Sequence, residues 1–259
     1  MPNPVITTDI SNPAVAVISM NRPEKRNALS LQLITELTQA FADSSRDRSR
    51  RAVILRGEGK GFCAGLDLDE MSQAGNAEMA ATALAELYEV MATSPVVTIA
   101  AAHGAAFGGG VGLIAASDIV IATDDLKIGF PEVKRGLTAA LITTLLRRTV
   151  PDRALRELIV LGLTIDAKQA QSLQMVNRIV GVDQLMPTAN DYAKQVIAAA
   201  PNAVARTKKL LDDIHVRGVR DDLQMALKFH FEFRHEGELK EGVAAFHEKR
   251  EPRWGLRDS

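Results

Sequence analysis

The sequence lacks an apolar run long enough to cross a membrane. A membrane-spanning helix needs about 18 to 20 successive apolar residues, whereas the stretch over residues 96–121 is interrupted by His103, several glycines and Ser117. Residues 1–5 also lack the basic start and the apolar core of a secretory signal. We therefore expect a cytoplasmic protein rather than an integral membrane protein or a secreted one.

The sequence also has a single cysteine and almost no net charge. The single cysteine, Cys63, cannot form an internal disulfide, which is typical of a reducing compartment. The 31 Lys and Arg residues nearly balance the 32 Asp and Glu residues, so the formal net charge is only −1. A protein that wraps nucleic acid needs a broad basic surface, and this balance argues against that class.

A local basic run remains at residues 46–51, where four arginines lie between a helical pattern and a strand pattern. Basic side chains in the last turn of a helix interact favourably with the helix dipole. We interpret the run as a solvated helix end. The alternative is a contact with an anion or with RNA.

The order of predicted elements is that of an α/β protein. The chain has 259 residues, 46% of them hydrophobic, which suffices for one large domain or for a domain with an appendage. β-rich runs alternate with helical patterns, as in layered α/β structures. Predicted strands cover residues 5–10, 14–20, 52–55, 96–101, 119–122 and 176–180. The first predicted helix follows Ser30 as its N-cap, and others cover residues 76–94, 109–116, 203–214 and 219–233.

The strand–turn–helix unit recurs without a residue pattern of fixed period, so we expect a spiral of ββα units rather than a simple solenoid. From Thr138 onward helical patterns dominate. We place a boundary near residue 195, between a spiral core over residues 1–195 and a C-terminal helical region over residues 196–259. That region is too short for a core of its own, so it should pack on the main body or on a neighbouring subunit.

Two glycine-rich segments, residues 61–68 and 104–112, follow β-rich runs and lead into helices. The first backbone N–H groups of a helix lack internal partners, so each segment can present a donor to a negatively charged oxygen. Two such donors on one oxygen would form an oxyanion hole. The alternative is that the glycines only permit tight turns and close packing. The residues alone leave both interpretations open.

Cysteine, histidine and glutamate side chains could each carry chemistry in this chain. Cys63 has no obvious histidine partner in the sequence, which predicts a buried, inert thiol. The five histidines lack the spacing of metal ligands, so we expect no metal site. Glu132 follows Gly129-Phe130-Pro131, just past a β-rich segment, and only this context sets it apart from an ordinary surface carboxylate.

Five segments in order carry a family likeness. They are residues 21–29 (Asn-Arg-Pro-Glu-Lys-Arg-Asn-Ala-Leu), the two glycine-rich segments, residues 129–132 (Gly-Phe-Pro-Glu) and residues 245–250 (Ala-Phe-His-Glu-Lys-Arg). Together they resemble the crotonase family, also called the enoyl-CoA hydratase/isomerase family. Because the likeness runs over nearly the whole chain, it is far more specific than any single motif.

The resemblance implies a spiral of ββα units with a C-terminal helical trimerisation region, and a homotrimer or a hexamer of two trimers. It also implies acyl-CoA thioester chemistry through an enolate, with CoA as part of the substrate and no metal or redox cofactor. The thioester oxygen would lie between the backbone N–H groups of Leu66 and Gly109, and Glu132 would be the acid/base residue. An enolate is reachable only if its oxygen is stabilised where charge develops.

The same resemblance assigns residues to CoA binding. The positions that contact CoA in relatives are occupied here by Lys25, Ala28, Ala64, Asp67 and Leu68. Phe246 and Lys249 would reach the CoA of a neighbouring subunit, the lysine as a point charge for phosphate.

One position departs from the usual hydratase pattern. Such hydratases carry a second glutamate three residues after the residue equated with Gly109, and this chain has Gly112 there. Two carboxylates can hold a water between them, whereas one naturally moves a proton between two carbons. The departure favours double-bond isomerisation or a specialised hydration. Residues 135–140 are similar to the branch that acts on methylglutaconyl-like enoyl-CoA esters.

Three other functions stay open at this point. A malonyl-type acyl-CoA decarboxylase would need the same oxyanion hole but little base. An RNA-binding crotonase homologue would depend on the basic run at residues 46–51. A non-catalytic CoA-sensing scaffold would have no use for Glu132, whose presence argues against it.

Overall fold

The computed structural model describes residues 4–71, 75–215, 218–232 and 236–252, and nine β-strands lie within them. The strands are β1 Ile6–Asp9, β2 Val15–Met20, β3 Ala52–Gly57, β4 Val97–Ala102, β5 Ala105–Phe107, β6 Ile119–Thr123, β7 Lys127–Gly129, β8 Thr164–Asp166 and β9 Arg178–Val180.

Eleven α-helices lie within the same residues. They are α1 Leu31–Arg46, α2 Leu68–Met71, α3 Asn76–Thr93, α4 Gly109–Ala115, α5 Ala140–Leu146, α6 Asp152–Leu161, α7 Ala167–Ser172, α8 Leu185–Ala198, α9 Pro201–Asp213, α10 Val219–Glu232 and α11 Glu236–Glu248. Short 3₁₀ turns cover Pro23–Lys25, Glu132–Arg135 and Val182–Gln184.

The strands form two layers. A large sheet has the order β1-β2-β3-β4-β6-β9, and a small one has the order β5-β7-β8. In the large sheet β1 and β2 are antiparallel and every other pair is parallel. Isolated bridges join Leu29 to Leu66 and Cys63 to Ala106, and they extend the small layer. Successive turns of the chain supply the large sheet, the small layer and a helix, which confirms the predicted spiral of ββα units.

The local sequence signals account for most elements. The first two predicted strands form as β1 and β2, an antiparallel hairpin in which Ile6 pairs with Met20. Ser30 caps α1, and its side chain accepts a hydrogen bond from the Leu33 N–H. Pro201 is at the first position of α9, where its missing N–H costs nothing. The helix predicted over residues 219–233 forms as α10, and residue 233 lies outside the described residues.

Three short strands, β5, β7 and β8, were not predicted as separate strands. Each has only three residues, which is too short for a clear alternation of buried and exposed side chains. Their pairing partners are distant in sequence: β5 pairs with β7, and β7 with β8. These strands form the small layer, and the candidate site lies beside that layer.

The large sheet separates two apolar clusters because side chains alternate between its faces. Ile18, Leu55 and Ala100 belong to the main cluster, on the side of α1, α3 and α4. Ile54 and Ile99 point to the other face, which is covered by α8. Both faces are therefore buried, which explains why β3 and β4 read as continuous apolar runs.

The last helices pack on the main body of the same chain. α10 packs on α3 and α5, and α11 packs on the turn Glu132–Arg135. Arg148 is within 2.6 Å of Asp212 and 3.4 Å of Asp222, so one guanidinium joins α9 and α10 to the segment after α5. α8 runs across residue 195, and the division at that residue stays a prediction.

Candidate active site

A cavity of about 650 Å³ opens between α3, α5 and the segments that follow the glycine-rich motifs. Its wall is mostly apolar, with Leu84, Leu141 and Ile142 among its residues. Leu66, Gly109 and Glu132 all line it. Cavities of this size and polarity are typical of small-molecule sites with a few placed polar groups. The fold therefore brings the three predicted catalytic residues to one place.

Two main-chain segments place Leu66 beside the start of α4. Leu29 donates its N–H to Gly65 O over 2.7 Å, and Phe107 donates to Cys63 O over 2.9 Å, so the segment is paired on both sides. Gly65 has φ +90°, which favours glycine, and a Cβ there would lie 3.4 Å from the Gly109 nitrogen. The residue before Leu66 therefore lies against Gly109.

Both predicted donors have a free N–H. Within the described part of the chain, neither the Leu66 N–H nor the Gly109 N–H donates a hydrogen bond to another protein group. Gly109 is the first residue of α4, where the N–H has no partner inside the helix. The cavity wall therefore carries two N–H donors without a protein partner among the described residues.

Glu132 supplies a buried carboxylate next to these donors. Its Oε2 is buried and accepts no hydrogen bond from the described residues. A Cβ on Gly108, which precedes the donor Gly109, would lie 3.0 Å from Glu132 Oε1. Desolvation raises the pKa of Glu132 to about 7, although its own backbone N–H and the charge of Arg135 oppose this shift. A carboxyl group with this pKa can give or take a proton near neutrality.

The cavity wall also contains a buried tyrosine that the sequence did not single out. Tyr88, on α3, is completely buried, lines the cavity, and donates its hydroxyl to Gly109 O over 2.7 Å. Burial, with smaller effects of Cys63 and Glu132, raises the pKa of Tyr88 well above its usual value, so the phenol stays neutral. In sequence Tyr88 only continues the apolar face of α3, and no local signal marks it.

Other polar groups lie at the cavity wall. Glu78 lines it from the first turn of α3, but the residue is exposed, unlike the buried carboxylate oxygen of Glu132. His230 on α10 and Lys240 on α11 also line it. Sequence analysis singled out none of these three.

The residues predicted to contact CoA lie on two segments that pair with each other. Ala64 donates its N–H to Arg26 O over 3.0 Å, and Asp67 donates to Leu29 O over 3.0 Å. Lys25 Nζ lies 2.9 Å from Asp69 Oδ2. The structure therefore brings together Lys25, Ala28, Ala64, Asp67 and Leu68 beside the cavity, of which Leu68 lines it.

Phe246 and Lys249 lie at the end of α11. The ring of Phe246 is half exposed and lies 4.4 Å from the guanidinium carbon of Arg135. His247 Nε2 is 3.9 Å from Asp69 Oδ1. Within one chain, the end of α11 thus lies beside the turn that carries Glu132. Its predicted reach toward a neighbouring subunit stays a prediction.

Comparison with known proteins agrees with this geometry. A family model described as Enoyl-CoA hydratase/isomerase matches residues 11–257. The chain belongs to this family. It is therefore an acyl-CoA enzyme of the enoyl-CoA hydratase/isomerase family, as the five ordered motifs indicate.

The similar proteins align with nearly the full length of this chain. A Thermus thermophilus protein that carries an enoyl-CoA hydratase name is 37% identical over 93% of this chain and 97% of its own. A mevalonyl-coenzyme A hydratase of Aspergillus fumigatus is 34% identical over 93% and 92%, respectively. The crystal structure of a carnitinyl-CoA hydratase from Mycobacterium avium has a TM-score of 0.85 at 28% identity and covers 99% of this chain and 100% of that chain.

Outside the site, the structure bears on two further predictions, the buried thiol of Cys63 and the lack of a membrane-spanning helix. Cys63 is completely buried, its Sγ donates to Asn27 O over 3.2 Å, and burial raises the pKa of its thiol to about 12. The prediction of a buried thiol is confirmed. Within the described ranges, no helix combines the length and apolar character that crossing a membrane requires.

The basic run contributes to the packing of the chain. α1 ends at Arg46, which confirms the predicted helix end. Arg50 pairs with Asp47 at 3.1 Å, and Arg51 donates to Val196 O over 3.2 Å at the end of α8. Arg46 also pairs with Asp43 at 3.2 Å, so three of the four arginines bind groups of their own chain, which weakens the case for an RNA contact.

Proposed function

We propose that this enzyme forms and reprotonates the enolate of an unsaturated acyl-CoA ester, with Leu66 and Gly109 as oxyanion donors and Glu132 as the acid/base residue. The observation that carries the proposal is the buried, unpaired Glu132 oxygen in the same cavity as two unpaired N–H groups. A mostly apolar wall gives the acyl chain a place to bind.

The proposed reaction needs one base and one oxyanion hole. Ionised Glu132 removes a proton from the α-carbon of a 3-enoyl ester, and the electron pair moves onto the thioester oxygen. The N–H groups of Leu66 and Gly109 stabilise that oxygen as its charge develops. The protonated Glu132 then returns the proton to the γ-carbon, which moves the double bond into conjugation and restores the carboxylate.

The CoA part of the substrate is assigned to the paired segments beside the cavity. We place it against Lys25, Ala28, Ala64, Asp67 and Leu68, with Lys25, which pairs with Asp69 over 2.9 Å, as the point charge for a phosphate. Phe246 and Lys249 would contact the CoA of a neighbouring subunit in a homotrimer or a hexamer of two trimers. The proposed proton transfers need no metal or redox cofactor, and CoA enters as part of the substrate. We place the reaction in the cytoplasm.

Addition or removal of water is the second candidate reaction. Two similar proteins carry the names mevalonyl-coenzyme A hydratase and carnitinyl-CoA hydratase, which favours this reaction. It would use the same oxyanion hole and the same Glu132. Glu78, an exposed carboxylate at the cavity wall, is the residue we propose to assist a water.

The deciding experiment incubates the enzyme with 2-enoyl-, 3-enoyl-, glutaconyl- and malonyl-type CoA esters in heavy water, with mass spectrometry of the products. A moved double bond or deuterium uptake without added water identifies an isomerase. A gain of water identifies a hydratase, and loss of carbon dioxide identifies a decarboxylase.

Three variants identify the residues responsible. We expect Glu132→Gln to lose most turnover while it still binds CoA esters, and we expect Glu157→Gln, an exposed substitution on α6, to match the parent. Glu78→Gln should affect only water addition. Near-normal turnover by Glu132→Gln would remove the proposed role of this residue. Failure of the parent to bind any of the esters would reject the proposed function as a whole.

A further inference from the structure

The ring of Tyr88 lies where a side chain at residue 112 would project. A Cβ built on Gly112 would overlap the Tyr88 hydroxyl oxygen and Cζ, and it would lie 2.8 Å from Cε1. Tyr88 is completely buried, so its ring cannot move aside without disturbing a close-packed interior. A side chain at position 112 and the Tyr88 ring therefore exclude each other.

The hydroxyl of the same ring binds the first residue of α4. Tyr88 Oη donates to Gly109 O over 2.7 Å, and the Gly109 N–H is one of the two proposed oxyanion donors. The phenol is neutral, and its proton is directed at this carbonyl. Tyr88 thus contacts the catalytic main chain.

The beginning of α4 needs a restraint of this kind. Its sequence is Gly108-Gly109-Gly110-Val111-Gly112, and glycine loses more conformational freedom on folding than any other residue. An oxyanion donor stabilises the transition state only if it is held in place before the charge develops. The Gly108 N–H is held by Gly129 O over 3.0 Å, and the hydrogen bond from Tyr88 adds a restraint at Gly109 itself.

We propose that Tyr88 is a positioning residue that holds Gly109 for the oxyanion and, by filling the space beside Gly112, leaves the site with one buried carboxylate. The inference rests on the proposed function, because it requires the thioester oxygen to bind the Gly109 N–H. In this proposal the Tyr88 ring fills the space that a second glutamate at position 112 would occupy.

The first test removes only the hydroxyl. Tyr88→Phe is compared with Ser44→Ala, which also removes a buried hydroxyl that donates to a main-chain carbonyl, Ala40 O, over 2.8 Å but lies away from the cavity. The readout is the infrared stretching frequency of the thioester carbonyl in bound butyryl-CoA labelled with ¹³C at that carbon. Butyryl-CoA has no double bond, so the measurement does not depend on turnover.

We expect the parent and Ser44→Ala to lower the carbonyl frequency on binding by the same amount, and Tyr88→Phe to lower it clearly less. With the ester that turns over, Tyr88→Phe should lose about tenfold in kcat with little change in KM. A Tyr88→Phe variant with the frequency shift and kcat of the parent overturns the inference alone. If the parent itself binds the ester without a frequency shift, the proposed oxyanion hole is wrong and the inference falls with it.

The second test adds a single methyl group. In Gly112→Ala the new Cβ must displace the Tyr88 ring, so we expect the same reduced frequency shift and lowered kcat as in Tyr88→Phe. The matched control is Gly181→Ala, because a Cβ there meets no atom within 4 Å. If Gly112→Ala behaves like Gly181→Ala, residue 112 and Tyr88 do not share one space and the proposal is rejected.

Discussion

Arg22 Nη2 lies 3.0 Å from Asp67 Oδ2, and both side chains are largely buried. Arg22 also donates through Nη1 to Ala28 O. One guanidinium thus joins the segment after β2 to the segment that carries the Leu66 N–H. Because Ala28 and Asp67 are proposed CoA contacts, this ion pair would connect CoA binding to the proposed oxyanion hole.

Loss of this connection should weaken CoA-ester binding. We expect Arg22→Ala to lower kcat/KM at least tenfold, because a largely buried Asp67 carboxylate is left without its partner. The measurement is steady-state kinetics together with calorimetric binding of a CoA ester. Arg156→Ala, which breaks an exposed pair with Asp152, serves as the control and should change neither. Equal kinetics for both variants would mean that the Arg22 pair does not organise the site.

The activity should depend on pH through Glu132. Burial raises the pKa of Glu132 to about 7, and the residue must be ionised to remove the α-proton. We therefore expect kcat/KM for a 3-enoyl ester to rise with pH and to level off above about pH 7 to 8. The measurement is a pH–rate profile between pH 5 and pH 9, run with the ester that turns over. A profile that is already flat at pH 5 would show that the catalytic base titrates well below pH 7, against the raised pKa of Glu132.

The same pKa shift predicts a pH-dependent cost in stability. The unfolded chain loses the Glu132 proton near pH 4.5 and the folded chain near pH 7, so the free energy of unfolding falls as the pH rises between these values. The shift corresponds to a loss on the order of 3 kcal/mol. Glu132→Gln should therefore gain thermal stability relative to the parent at pH 8 but much less at pH 5.

Thermal unfolding at the two pH values checks this expectation. Glu157→Gln is the control, because this exposed carboxylate should give a difference that does not change with pH. A Glu132→Gln difference that is equally independent of pH would show that the Glu132 carboxyl titrates at its ordinary pKa in the folded protein.

The Gly109 N–H can be removed by a single substitution. Gly109→Pro deletes the donor at the first position of α4, where proline is otherwise tolerated. Loss of one oxyanion donor typically costs about 10²- to 10³-fold in kcat, and we expect a loss of that size. Gly109→Ala keeps the N–H, and its Cβ would lie 2.9 Å from the flexible end of Leu29, so it should lose less than about tenfold. Similar losses in both variants would point to crowding rather than to the missing donor.

Much of the fold could be predicted from local patterns. The Ser30 cap, the hairpin of β1 and β2 and the long α3 all follow from signals within a few residues of one another. The three short strands of the small layer could not be predicted as separate strands, because three residues carry too little pattern. The ordered motifs also identified Leu66, Gly109 and Glu132 as candidates, and the structure places all three at one cavity.

The sequence by itself determined the α/β order of elements, the family and the candidate catalytic residues, because these depend on local periodicity, caps and ordered motifs. Only the tertiary structure decided what surrounds those residues. The burial that raises the pKa of Glu132 comes from packing of the turn Glu132–Arg135 against helices distant in sequence. The meeting of Tyr88 with Gly109 and Gly112 likewise depends on how α3 stacks against α4, and no pattern along the chain encodes that contact.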